Sequence, residues 1–201
     1  MFRTAIAVSP HSSFVMNDRD ALRQEARLRR AAAVAAQNDA AERLAAAFLS
    51  GIPFRAHRTA SGYWPVGTEI DDRPILRGLM AEGLAVALPC VVKADQALAF
   101  RSWREADRLV PGPYGIPAPH DAAPVLRPTL VVVPLLLFDG TGHRLGSGMG
   151  FYDRTLAELR AQSSILAVGV GFAAQRIAEL PVLPTDQRLD AVVTEEGVEW
   201  F

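Results

Sequence analysis

The chain has 201 residues, half of them apolar, which is enough to bury a proper core within one domain. With 21 Lys+Arg against 22 Asp+Glu, its net charge of -1 gives no global attraction for nucleic acid or an anionic lipid surface. Cys90 is the one cysteine, so an internal disulfide is excluded and a reducing compartment is expected.

No apolar stretch approaches the length of a membrane span, and residues 1–17 lack the uninterrupted apolar core of a secretory signal. Residues 1–18 read as a poorly ordered extension, and a cytoplasmic protein is expected. From Asn17 the sequence NDRDALRQEARLRRAAAVAAQNDAAERLAAAFLS is helical, with Asn17 or Asp18 as N-cap. Leu22, Ala26, Ala33 and Val34 share a narrow face. Asn38 looks like a second cap before Ala41, Leu44, Ala45 and Phe48 resume the stripe. The cluster Arg19, Arg23, Arg27, Arg29 and Arg30 is either a solvated face or a set of guanidinium groups aimed at phosphates or carboxylates. Arg19 and Arg23, four residues apart, project from one face, while Arg29 and Arg30 are expected to turn elsewhere.

Gly51 and Pro53 close the helical section, and residues 59–66 read as a strand ending in a turn. Tyr63 and Trp64 arrive just before that end. Glu69 follows, ahead of a helix face formed by Ile75, Leu79 and Met80 and capped by Thr68 or Asp72. Two aromatics and a carboxylate at such a junction suit a flat heterocycle with N–H donors, and equally suit core aromatics beside a capping acid. A second strand runs over residues 84–88 and a third over 97–100. The proline-rich stretch 111–119 is irregular by necessity, and Tyr114 and Ile116 within it indicate a docked loop.

The centre of the chain is VVVPLLLFDGTGHRLGSGMGFYDRTLAELR, residues 131–160. The near-continuous hydrophobicity at its start is that of a strand buried on both faces, and ligands of parallel sheets sit at the carboxyl ends of such strands. Gly146, Gly148 and Gly150 alternate before the helix. They permit positive φ and leave backbone N–H groups free to converge on an anion, although glycine-rich turns also serve plain structural ends. The spacing is neither the Walker pattern nor the dinucleotide pattern. Arg144 is a phosphate partner and Asp153 a hard oxygen ligand for Mg²⁺ if a nucleotide binds here.

Beyond it lie a buried strand over 165–172, a short helix over 174–180, a loop containing Asp186, and an edge strand over 191–194. The alternation of strands and helices indicates an α/β domain with a mainly parallel sheet between helices. His11, His57, His120 and His143 show no metal-ligand spacing, and no GxSxG elbow occurs.

Four segments in this order, YWPVGTEID, PGPYGIPAP, RLGSGMGFYDR and LPTDQRLDAVVTE, make the chain resemble the 5-formyltetrahydrofolate cyclo-ligases. The resemblance runs from about Arg19 to Glu195 and implies a three-layer α/β/α single domain over 19–201. It also implies ATP- and Mg²⁺-dependent closure of 5-formyltetrahydrofolate to 5,10-methenyltetrahydrofolate; a monomer is expected, and the charge balance and the lack of a long apolar stretch tell against nucleic acid or a membrane as partner. By similarity, ATP is held by Arg19, Arg23, Arg144, Leu145, Gly146, Ser147, Gly148, Met149, Gly150, Phe151 and Tyr152. Ser147, Gly148, Met149, Gly150 and Phe151 also border the folate, with Trp64 packing on the pterin and Glu69 accepting its N–H groups. Asp153 and Asp186 hold Mg²⁺, and Arg144 and Asp153 are the catalytic pair. Arg19 stands where the resemblance carries a lysine. The competing class is a folate or nucleotide sensor, or an enzyme of another small phosphorylated substrate; both carboxylates favour catalysis.

Overall fold

The computed structural model describes residues 10–201. The expected extension falls partly on residues 1–9, outside the described residues, and partly on 10–18, which are helical. Helix α1 (Pro10–Ala36) therefore starts before Asn17 and Asp18, which are interior positions and not caps. Proline opens a helix at no cost, because its missing N–H is one that the first turn leaves unbonded. The chain breaks at 37–39 as expected and continues in α2 (Ala40–Gly51), whose N-cap is Asp39 and not Asn38. Among the described residues no helix is long and apolar enough to cross a membrane.

Next come β1 (Thr59–Ser61), α3 (Arg73–Ala81), β2 (Ala85–Cys90), β3 (Ala99–Ser102), the small hairpin β4 (Val110–Pro111) and β5 (Pro117–Ala118), and β6 (Val125–Leu126). The second half comprises β7 (Leu130–Pro134), β8 (Leu137–Phe138), β9 (Arg144–Leu145), α4 (Phe151–Gln162), β10 (Leu166–Val170), β11 (Ala191–Thr194) and β12 (Gly197–Trp200). Eight strands form the main sheet in the order β12-β11-β10-β7-β1-β2-β3-β6. The five from β11 to β2 are parallel, and antiparallel neighbours close both edges. β11 is thus an interior strand, and the antiparallel β12 covers the edge expected of it.

The three-layer α/β/α architecture follows from alternation along the central strand. Leu130 and Val132 join the cluster under α2 and α3, whereas Val131 and Val133 face Leu156 of α4 on the other side. All four are fully buried, and each contributes about 1.5–3 kcal/mol of transfer free energy. A third cluster lies beyond the sheet, where Ala26 of α1 packs on Leu136, Leu137, Leu145 and Leu180. Helix α1 is thereby fixed across the loops that leave β7.

Three expectations fail for local reasons. The strand expected over 59–66 stops at Ser61, because Tyr63 donates its N–H to the Asp72 carboxyl group (2.9 Å) instead of a strand neighbour. The helix expected over 174–180 is a single turn, Ala173–Gln175. There Gln175 accepts the Phe172 N–H (2.7 Å) and donates to the Leu135 and Leu136 carbonyls (both 2.9 Å), and Ile177 N–H bonds the Phe138 carbonyl (2.9 Å), which pulls the chain into extended pairing. The run 135–137, read as more of the central strand, instead begins a hairpin in which β8 pairs with β9.

Candidate active site

From β1 the chain winds by α3 to β2 on one side, and from β7 by α4 to β10 and β11 on the other. The winding reverses between β1 and β7, where the loops leaving the two strands diverge and a crevice must open. A cavity of about 830 Å³ lies there, walled by α1, the β1–α3 segment, the glycine loop, the start of α4 and residues 183–187. It gathers Arg19, Arg23, Trp64, Glu69, Arg144, Asp153 and Asp186, with Gly146, Ser147, Gly148, Met149, Gly150, Phe151 and Tyr152. One expected residue is missing. Leu145 is 1% exposed and its side chain belongs to the cluster beneath α1, because β-strand alternation turns it away from its neighbour Arg144.

The glycine loop is braced from both sides. Gly148 (φ 108) and Gly150 (φ 66) occupy conformations that L side chains rarely adopt. A Cβ at Gly148 would come within 3.3 Å of the Arg23 guanidinium, whose Nε donates to the Gly146 carbonyl (3.1 Å). Arg154 Nη2 donates to the Met149 carbonyl (2.8 Å). Gly150 is the N-cap of α4, so the loop delivers the positive end of that helix dipole to the cavity. At the mouth, the Tyr114 ring meets Phe151 edge-on at 6.0 Å, so the proline-rich loop is docked as expected.

Asp153 and Asp186 differ in what they offer a cation. Asp153 Oδ1 accepts from Arg144 Nη2 (2.9 Å) and from Gln187 N–H (3.0 Å), while no hydrogen bond from the described residues reaches Oδ2. The Asp186 carboxylate takes Arg19 on both oxygens and the Leu183 N–H on Oδ2 (2.8 Å). Among the described residues no group of three or more His, Cys, Asp or Glu side chains gathers to hold a metal. Mg²⁺ is ordinarily held by one or two carboxylates plus substrate phosphates, so Asp153 fits that ion and Asp186 fits only if Arg19 lets go.

The other end is aromatic. Trp64 is half-buried, edge-on to Trp103 (6.3 Å) with the Arg73 guanidinium over its face (5.2 Å). Glu69 Oε2 accepts the Val66 N–H (3.0 Å), and Oε1 lies 3.6 Å from Arg30 Nη1. Burial raises the Glu69 carboxyl above its ordinary range, with that hydrogen bond and Arg30 pulling it back down. Burial pushes the Tyr152 phenol up as well, and its buried hydroxyl has no hydrogen-bond partner among the described residues. Asp72, fully buried at the start of α3, is likewise raised well above its ordinary value by burial.

Arg30 corrects the expectation about the arginine cluster. It is 9% exposed and lines the cavity, whereas Arg29 is exposed and pairs with Glu25. The helical period carried the signal: eleven residues from Arg19 make about three turns of 3.6, which returns Arg30 to the same face. Arg27 and Tyr63 also line the cavity.

Residues 15–195 match the model of the 5-formyltetrahydrofolate cyclo-ligase family. A 5-formyltetrahydrofolate cyclo-ligase of Escherichia coli is 31% identical over 178 residues, covering 86% of this chain and 97% of the relative. That of Mycolicibacterium smegmatis is 33% identical over 156 residues, covering 73% and 78%. The fold is shared with the 5,10-methenyltetrahydrofolate synthetase of Aquifex aeolicus, at a TM-score of 0.75 and 24% identity over 90% of this chain and 92% of that one.

Proposed function

The chain belongs to the 5-formyltetrahydrofolate cyclo-ligase family, and from that premise we propose that its cavity joins ATP to 5-formyltetrahydrofolate and closes the folate to 5,10-methenyltetrahydrofolate, releasing ADP and phosphate. One observation carries the reading: a braced glycine loop with Arg23 and Arg144 at one end of a single cavity, and Trp64 with Glu69 at the other. The first end has the chemistry of phosphates, the second that of a flat ring edged with N–H donors.

The chemistry requires such a junction. An N-formyl group is an amide, with a weakly electrophilic carbon and a poor leaving oxygen. Transfer of the terminal phosphoryl group to the formyl oxygen corrects both faults. The neighbouring anilino nitrogen then attacks the carbon, loses its proton, and the phosphate leaves with the former formyl oxygen. Positioning and charge neutralisation do the catalytic work, as in other phosphoryl transfers.

The protein's share can be assigned by residue. Arg23 and the loop N–H groups hold the polyphosphate, and Gly148 keeps free the space that a Cβ would take beside Arg23. Arg144 ties Asp153 to the 183–187 segment through the Gln187 carbonyl (2.6 Å), which fixes the carboxylate in the cavity wall with Oδ1 occupied and Oδ2 left for a cation. Mg²⁺ held there would neutralise charge on the transferring group. Asp186 would join only once a phosphate has drawn Arg19 off it. Trp64 packs on the pterin and Glu69 accepts its ring-edge N–H groups. The Tyr152 hydroxyl stays protonated and is free to donate.

Incubation with ATP, Mg²⁺ and 5-formyltetrahydrofolate, followed at the methenyl chromophore with ADP measured alongside, tests the reading. Equal amounts of both products are expected. Saturable folate binding with no ADP would return the protein to the sensor class.

A further inference from the structure

Among the arginines that α1 sends to the cavity, Arg30 stands apart because its partners lie at the aromatic end, in the β1–α3 segment. Its Nε donates to Thr68 Oγ1 (3.0 Å) and its Nη1 lies 3.6 Å from Glu69 Oε1. Its side chain is almost entirely enclosed, so the pairing is neither a flexible surface contact nor one that salt screens easily. We propose that Arg30 is a positioning residue for folate recognition, which keeps Glu69 ionised and aimed into the cavity. The proposal rests on the reading above that Glu69 accepts the pterin N–H groups.

An acceptor for two ring-edge donors must be a carboxylate. A protonated carboxyl presents an O–H where the ligand also presents N–H, and that clash removes one bond and leaves a buried donor unpaired. The surroundings of Glu69 favour this loss. Burial disfavours its charge, and the other titratable groups facing it are Tyr63 and Asp72 from the β1–α3 segment and Tyr152 from α4, none of them a cation. Among the described residues, Arg30 makes the one ion pair to Glu69. The Thr68 bond fixes the guanidinium next to the carboxylate in sequence, and the Val66 N–H holds the far oxygen. Helix α1 thus serves both ends of the cavity from one face: Arg19 at the segment that carries Asp186, Arg23 at the glycine loop, and Arg30 three turns on from Arg19.

The sign of the pH effect follows. Folate binding needs ionised Glu69, so affinity is present above the Glu69 pKa and is lost as pH falls through it. Removing Arg30 removes a term that lowers that pKa, so the falling limb moves to higher pH. An opposite charge at this distance shifts a carboxyl by about one unit or more. At a pH on the limb, affinity should therefore fall about tenfold.

The test is equilibrium binding of 5-formyltetrahydrofolate, without ATP, from mildly acidic to mildly alkaline pH. It uses wild type, Arg30→Gln, Arg30→Lys and Glu69→Gln, with ATP binding measured in parallel. Expected are an upward shift of the limb in Arg30→Gln, its restoration in Arg30→Lys, and unchanged ATP affinity in both. Should Arg30→Gln not fold, Arg30→Met is the second neutral variant and must show the same shift. Equal loss of affinity at every pH, or no loss, in the neutral variants overturns the proposal and leaves Arg30 as packing. Folate affinity unchanged in Glu69→Gln would instead remove the pterin reading itself.

Discussion

Arg19 and Asp186 form a two-pronged ion pair, Nη1 to Oδ2 at 2.5 Å and Nη2 to Oδ1 at 3.2 Å, with side chains only 6% and 9% exposed. Arg19 Nη1 also donates to the Pro181 carbonyl (2.8 Å), so the pair ties α1 to the segment that carries Asp186. Deleting one partner of a buried pair leaves the other charged and unsolvated. Arg19→Ala should lower unfolding free energy by about 3–5 kcal/mol in urea titrations, and the double variant Arg19→Leu with Asp186→Leu should recover much of it. Arg19→Ala should also strengthen Mn²⁺ binding by freeing a carboxylate. Losses under about 1 kcal/mol, with Mn²⁺ affinity unmoved, would mean that the pair does not persist in solution.

Asp153→Asn should fold normally, because an amide Oδ1 still accepts from Arg144 and from the Gln187 N–H. What it loses is the negative Oδ2 at the cavity. Turnover should fall by about 2–4 kcal/mol of transition-state stabilisation, the scale of one preorganised electrostatic partner. A rate near wild type at saturating Mg²⁺ would reduce Asp153 to a helix-start residue that braces Arg144.

Arg23 and Arg29 separate the phosphate face from the solvated one. Arg23 is 7% exposed and touches the glycine loop, whereas Arg29 lies on the outer side of the same helix, bonded to Glu25. Arg23→Ala should weaken ATP binding by about 1.5–3 kcal/mol, the scale of a charged hydrogen bond. Arg29→Ala should leave it unchanged. Calorimetric titration of ATP into both variants decides, and equal small effects would leave Arg23 as a brace of the glycine loop with no part in holding phosphate.

Asp72 should make the protein less stable as pH rises, the reverse of an ordinary salt-bridged carboxylate. Burial favours its protonated form in the folded chain and lifts it well above the 3.8 of a free aspartate. The stabilisation is complete below the unfolded pKa and is lost as pH climbs through the folded one. Asp72→Asn keeps an acceptor for the Tyr63 N–H and cannot ionise. Urea midpoints across pH should show the variant equal to or above wild type at neutral pH, with a flatter profile above about pH 4. A wild type that gains stability over that range relative to the variant would show that Asp72 is ionised and paired.

What was legible in the chain divides by physical cause. The buried central strand, the break between α1 and α2 and the glycine loop rest on local chemistry, namely hydrophobic runs, breakers and positive φ, and all three stand. Arg30 was legible in principle, since its helical angle alone returns it to the face of Arg19. Other features are settled by partners far away in sequence. Gln175 spends its amide on Leu135 and Leu136 and so prevents a helix, and Arg19 occupies the carboxylate that the resemblance assigns to Mg²⁺. The inward turn of Leu145 is a matter of strand phase, which a hairpin as short as β8–β9 hides from any periodicity window.

The central claim is that the cavity brings the terminal phosphate of ATP onto the formyl oxygen, and isotope transfer tests it most directly. 5-Formyltetrahydrofolate carrying heavy oxygen in its formyl group is turned over with ATP and Mg²⁺, and the inorganic phosphate is analysed by mass spectrometry. The account predicts one heavy oxygen in each phosphate released, in step with methenyl product. Unlabelled phosphate formed beside the methenyl product would contradict it, because ring closure would then proceed without phosphorylation of that oxygen.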